Sequence, residues 1–239
     1  MKSRSNRTGG QRRGARPGFG RLAAKQVGLI GLIGLILALA APAGRAQDDV
    51  AGAFDYYVLA LSWSPGWCMV EGDAKNAPQC RDGAGKGFVL HGLWPQYEQG
   101  WPSYCRTEAR DPSRRETAER AGLFGSAGLA WHQWKKHGRC SGLSAQAYFD
   151  LAQRAFDMVA RPQVFGQLSE QVRVAPAVVE AAFLETNQQF QAPGVTVTCR
   201  NAVMYEVRIC LTPQLTPRHC APDTAQDCRL DTVIFPPTR

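Results

Sequence analysis

Residues 54–62, Phe-Asp-Tyr-Tyr-Val-Leu-Ala-Leu-Ser, are aromatic and aliphatic with a single charge, which predicts a strand. Ser64-Pro65-Gly66 predicts its end. Residues 71–87 are rich in Gly, Lys and Asp without an apolar period and predict a loop. The run at 87–91 predicts a short buried strand that delivers His91, and the prolines and glycine of 95–113 predict a second loop. A short polar helix is expected at 114–121. Residues 129–140 read as the last turns of a helix, closed by a left-handed Gly138, with Trp131 and Trp134 packing inward and Cys140 able to pin the end. Ser144 can cap a further helix to about residue 160. There Tyr148, Leu151, Ala152, Ala155, Phe156 and Val159 recur at spacings of three and four, the apolar stripe of a core-facing helix. Pro176 suits the first turn of a helix over 176–190. Residues 195–199 and 203–211 alternate as two strands about Arg200-Asn201, and a last short strand is expected at 232–235. Strands and helices do not alternate regularly, so the class is α+β.

The start of the chain departs from this pattern. Residues 1–46 hold nine Lys or Arg and no Asp or Glu, and include an apolar run at 27–41 followed by small residues. At about 15 residues the run is short for a membrane span, which needs about 20. The layout predicts a secretory signal peptide, removed after Ala43 or Ala46, with a retained anchor as the alternative. Residues 47–239 then form one domain. The chain carries 28 Lys+Arg against 20 Asp+Glu. Taking the nine leader cations from 28 leaves 19 against 20, a nearly neutral mature part. The excess positive charge reports targeting, and any anion site must be a local patch. All eight cysteines follow residue 67; in an exported chain that count predicts four disulfides, in any of 105 pairings. Export implies a periplasmic or secreted location, free of the membrane after cleavage.

Three of the four histidines, His91, His132 and His137, fall in two short segments rich in Trp and Gly. On a helix, His132 lies over Lys136 and Gln133 over His137, so four polar groups share a stripe. A single histidine beside a tryptophan is more often a packing residue with a satisfied partner. Three together with Lys136 point to chemistry. Two imidazoles held across a phosphodiester supply a base and an acid. RNA brings its own nucleophile, the 2′-hydroxyl that DNA lacks, and a lysine beside the phosphorus stabilises the transition state. No metal or cofactor is needed. Trp94, Tyr97, Trp101 and Tyr104 could stack a base. A zinc hydrolase using His91, His132 and His137 is the weaker alternative, because no pair has standard ligand spacing.

His91-Gly-Leu-Trp-Pro95 and Trp131-His-Gln-Trp-Lys-Lys-His-Gly-Arg-Cys140 resemble the two active-site segments of the T2-type ribonucleases, and Leu59-Ala-Leu-Ser-Trp-Ser-Pro65 is similar to the family's first strand. The resemblance spans roughly residues 54–230 and is close only in these segments. It implies a central antiparallel sheet flanked by helices and stapled by disulfides, and cleavage of single-stranded RNA through a 2′,3′-cyclic phosphate to a 3′-phosphate. It implies His137 as general base, His91 as general acid, Lys136 as transition-state stabiliser, Gln133 at a catalytic position, His132 on phosphate, and Trp94 with Tyr97 toward a base. It further implies the pairs Cys68–Cys80, Cys105–Cys140, Cys199–Cys228 and Cys210–Cys220, in a protein acting as a monomer on RNA and not DNA.

Two positions depart from the family pattern. Gln133 stands where a glutamate is usual; an amide donates to a phosphate oxygen but takes up no proton. Gln96 follows Trp94-Pro95 where some members carry an acidic residue, which leaves base preference open. The alternative in another class is a secreted RNA- or protein-binding module on the same scaffold, with weak or no catalysis.

Overall fold

In the computed structural model, residues 49–239 are described; the expected signal segment lies outside them. The central feature is β1 (Tyr56–Trp63), every residue of which is buried. It pairs antiparallel with β2 (Phe88–Gln96) on one side and β5 (Val203–Leu211) on the other. β4 (Val195–Arg200) also runs antiparallel to β5, while β6 (Val233–Phe235) touches β5 in parallel at Val203 and pairs antiparallel with β3 (Val172–Val174). The sheet order is β2-β1-β5-β6-β3, with β4 on β5. The architecture is α+β on one mainly antiparallel sheet.

Because side chains alternate across a strand, the sheet has two faces of different character. Tyr57, Leu59, Leu61 and Trp63 of β1, with Val207, Ile209 and Leu211 of β5, join the main core. The core is closed by helices α5 (Ala145–Asp157) and α6 (Pro176–Thr186), which contribute Tyr148, Phe149, Ala152 and Ala155, and Val179 and Phe183. On the opposite face Tyr56, Val58, Cys210 and Ala221 form only a small cluster. Most of that face is left to polar side chains, and there the cleft lies.

The register of β1 on β2 slips at one point. Ala60 opposes Gly92 and Leu61 opposes Leu90, so His91 has no partner across the ladder. This bulge lets Leu90 and Leu93, three apart, both enter the core, and it turns the strand so that Trp94 and Gln96 share the cleft face. Pro95 is tolerated because β2 is an edge strand.

Helices α2 (Arg114–Glu119), α3 (Ala121–Phe124) and α4 (Ala127–Lys136) lead to the cleft. Ser126 caps α4 by accepting from Leu129 N at 3.0 Å. Its end is tied twice: Trp134 and Arg139 both donate to Asp111, and Cys105 and Cys140 are bonded. Behind it, the Tyr148 hydroxyl of α5 donates to Leu93 O of β2 at 2.9 Å. The other disulfides join Cys68 to Cys80, Cys199 to Cys228 and Cys210 to Cys220.

Several local expectations are corrected. After β1 the chain makes a helical turn, α1 (Ser64–Trp67), continuing to Gly72, where only a strand end and a loop were expected; Trp63 is held from the far end of the chain by Nε1 donating to Pro236 O. The helix after Pro176 stops at Thr186, short of Phe190. The β4–β5 turn is built on Asn201 and Ala202, both at positive φ, and not on Arg200. Trp131 is exposed, since it lies on the outer face of α4. Gly138 is not left-handed; Gly142 is. Position 138 needs glycine for space: a Cβ there would stand 2.5 Å from the Trp134 ring and 2.7 Å from Tyr148. Gly138→Ala is therefore expected to destabilise the fold by about 1–3 kcal/mol through overpacking, read as a lowered Tm. An unchanged Tm would mean that the two rings move aside without cost.

Candidate active site

Floor and wall of the cleft come from different elements. The floor is the polar sheet face: Val58 of β1, Trp94 and Gln96 of β2, Arg208 of β5. The wall is the inner side of α4 with its C-cap: His132, Gln133, Lys136 and His137. With His91, Trp101, Asp223 and Thr224 these enclose about 280 Å³. The helix stripe expected from spacing therefore faces the bulged histidine.

Trp94 joins the two histidines. Its ring stacks on His137 at 5.2 Å between centroids and meets His91 edge-on at 5.1 Å. Its indole Nε1 donates to Gln133 Oε1 at 2.9 Å. An indole N–H can only donate, so it selects the amide oxygen and leaves the amide NH₂ of Gln133 free to donate in the cleft. Gly92 makes this contact possible, since a Cβ there would stand 2.1 Å from Gln133 Oε1 and 2.3 Å from the indole nitrogen. The Gly of His91-Gly-Leu-Trp-Pro95 thus serves close approach.

The two imidazoles sit in unlike surroundings. His137 is 6% exposed, and its Nδ1 is buried without a hydrogen-bond partner. Burial first, then the positive charges of Lys136, His91 and His132, push its pKa down to about 2. His132, at the rim, is lowered by burial and by Lys136. His91 is partly exposed, and its Nδ1 is bonded to the carboxylate of Glu206, which is 2% exposed in side chain. Glu206 also accepts from Arg208 Nε and Nη2 at 3.0 and 2.8 Å. The Arg208 guanidinium lies over Trp94 at 5.4 Å.

The family model of the Ribonuclease T2 family matches residues 54–220. The chain belongs to the T2 ribonuclease family. It is similar to a ribonuclease of Aeromonas hydrophila, 46% identical over 127 residues, which is 52% of this chain and 54% of that one. It is also similar to a probable ribonuclease of Haemophilus influenzae, 34% identical over 120 residues, 45% of this chain and 44% of that one. The chain spans about half the length of these two curated relatives. An RNase-related protein from Calystegia sepium shares the fold with a TM-score of 0.61 at 21% identity, over 77% of this chain and 97% of that one.

Of the T2 segments singled out in the sequence, His91, Trp94, His132, Gln133, Lys136 and His137 meet in one cleft, joined by Trp101. Tyr97 does not line it; its hydroxyl donates to Asp49 at 3.3 Å. Tyr104 is exposed outside the lining, and His219 lies elsewhere, bonded to Gln191. Sequence reasoning missed Glu206, Arg208 and Asp223. Glu206 and Arg208 carry a signal, two charged residues at i and i+2 in an otherwise apolar strand, hence on one face. Asp223 carries none.

His137 should remain neutral in the free protein well below pH 6.5. An unfolded histidine takes its proton near 6.5, so the unfolded state binds more protons below that pH. The contribution of His137 to stability is present above 6.5 and falls as pH drops toward 2, by at most about 1.4 kcal/mol per pH unit. Ring NMR titration reads this directly, and Lys136→Gln should raise the midpoint. A wild-type ring that protonates near 6.5 contradicts the burial argument.

Proposed function

We propose that this chain is an endoribonuclease that cleaves single-stranded RNA by acid–base transphosphorylation without a metal or cofactor. The observation that carries the reading is one cleft lined by His91 and His137, both in contact with Trp94 and flanked by Lys136. The neutral His137 takes the proton of the 2′-hydroxyl as its oxygen attacks phosphorus. His91 gives a proton to the departing 5′-oxygen as the P–O5′ bond breaks. The product is a 2′,3′-cyclic phosphate, which water then opens to a 3′-phosphate with the two roles exchanged. Lys136 and the Gln133 NH₂ stabilise the charge that gathers on the phosphoryl oxygens, and His132 holds phosphate at the rim.

Two cavities border His91, and this supports an internal cut. Beyond the main cleft, a second cavity of about 190 Å³ is lined by Trp67, Leu90, His91, Phe124 and Leu129, among others. A phosphodiester at His91 would send one base into each. In the main cleft Trp94 and Trp101 offer stacking surfaces. DNA, without the 2′-hydroxyl, can bind but not react.

Export to the periplasm or beyond is part of the proposal. Four disulfides need an oxidising compartment. Among the described residues no helix is long and apolar enough to cross a membrane. The second reading, a binding module on this scaffold acting without cleavage, is favoured by the amide at position 133.

Purified protein incubated with RNA and EDTA should release fragments ending in cyclic phosphate. Tight RNA binding without cleavage would leave the second reading, and loss of cleavage with chelator would revive the zinc alternative. His91→Ala and His137→Ala should each lose about 10²–10⁴-fold in rate, and His219→Ala almost nothing. A near-normal rate in either of the first two variants overturns the assignment. Gln133→Glu adds a titrating group beside His137 and should reshape the pH–rate profile; superimposable profiles would exclude any titrating role for that position.

A further inference from the structure

Glu206 stands in the middle of β5, with Ser62 of β1 opposite on one side and Thr198 of β4 on the other. A carboxylate at 2% exposure is costly unless paired. Here both oxygens are occupied: Oε1 meets His91 Nδ1, and Oε2 takes two N–H bonds from Arg208. Burial pushes the carboxyl group upward, but the bonds and charges of His91 and Arg208 outweigh it and hold it below the usual range. The group is therefore ionised, and an ionised carboxylate only accepts.

That one-way character has a consequence for His91. The nitrogen facing Glu206 must carry hydrogen whether the ring is neutral or charged. The neutral ring is then the Nδ1–H tautomer, and Nε2 is the nitrogen that gains and loses the proton. His91 needs such a hold, because it is the bulged residue and has no ladder partner. His137 differs: its Nδ1 has no partner, and stacking on Trp94 supports its ring.

We propose that Glu206 is the positioning carboxylate of this site, holding His91 with Nε2 as its working nitrogen and keeping Arg208 over Trp94. The helix segment offers an amide at Gln133, and the negative charge facing an imidazole comes instead from the sheet. Glu206 does not touch substrate; it acts through His91. The inference rests on the proposed catalytic role of His91.

The test compares wild type, Glu206→Gln, Glu206→Asp and His91→Ala as full mature chains. Cleavage of a dinucleotide gives kcat and KM, and long-range ¹H–¹⁵N spectra of the His91 ring give its tautomer. An amide at 206 can donate as well as accept, so it no longer dictates the tautomer. Glu206→Gln should lose about 10- to 100-fold in kcat, the usual effect of a residue that orients a functional side chain, with KM within about threefold. Its neutral His91 ring should become a tautomer mixture. Glu206→Asp should recover part of both. A kcat within twofold of wild type in Glu206→Gln, an effect confined to KM, or an Nε2–H tautomer in the wild-type neutral ring each overturns the proposal. The wild-type spectrum decides even where a variant fails to fold. If His91→Ala is inactive while Glu206→Gln is normal, only the role of Glu206 falls. If His91→Ala remains active, the underlying ribonuclease mechanism falls.

Discussion

A single slipped residue in the ladder between β1 and β2 sets the geometry of this protein. Without it, strict alternation would put either Leu90 or Leu93 on the polar face, at a cost of about 1.5–3 kcal/mol for the leucine left out of the core. With it, both leucines are buried, His91 swings clear of regular pairing, and Trp94 and Gln96 lie toward the cleft. The bulge also leaves Gly92 where a helix side chain can approach the backbone. Core packing and site geometry thus have the same origin.

The environment then sets two chemically identical rings apart. His137, buried at the C-cap of α4 and stacked on Trp94, is held neutral first by burial and then by nearby positive charge. His91 is partly exposed and backed by a carboxylate that is itself neutralised by Arg208. One ring is buried without a partner on Nδ1, and the other is anchored at Nδ1 to a buried carboxylate. The groups responsible are local: His132 and Lys136 on α4, His91 on β2, and Glu206 with Arg208 on β5.

The elements around the cleft are braced from behind. Asp111 gathers the Trp134 indole and the Arg139 guanidinium, Cys140 is bonded to Cys105, and Tyr148 reaches Leu93 O. None of these groups lines the main cleft. They fix the end of α4 to the loop that precedes α2, and α5 to β2, around the stacked pair of His137 and Trp94.

Much of this was legible in the chain. An aromatic and aliphatic run marked β1, alternating runs marked β4 and β5, the three-and-four stripe with Ser144 marked α5, and helical spacing put Gln133, His137, His132 and Lys136 on related faces. These features are local, governed by periods of two and 3.6 residues. The T2 segments named the histidines. What no local period contains is which strand face meets which side chain after folding. The bond between His91 and Glu206 joins residues 115 apart. The outward turn of Trp131, the departure of Tyr97 from the cleft and the arrival of Asp223 were settled by packing against distant elements. Local pattern carried the class, most of the elements and the chemical groups available. The tertiary structure decided which groups stand together, because the bulge that orients them is a compromise between two strands and a core, and no single segment carries it.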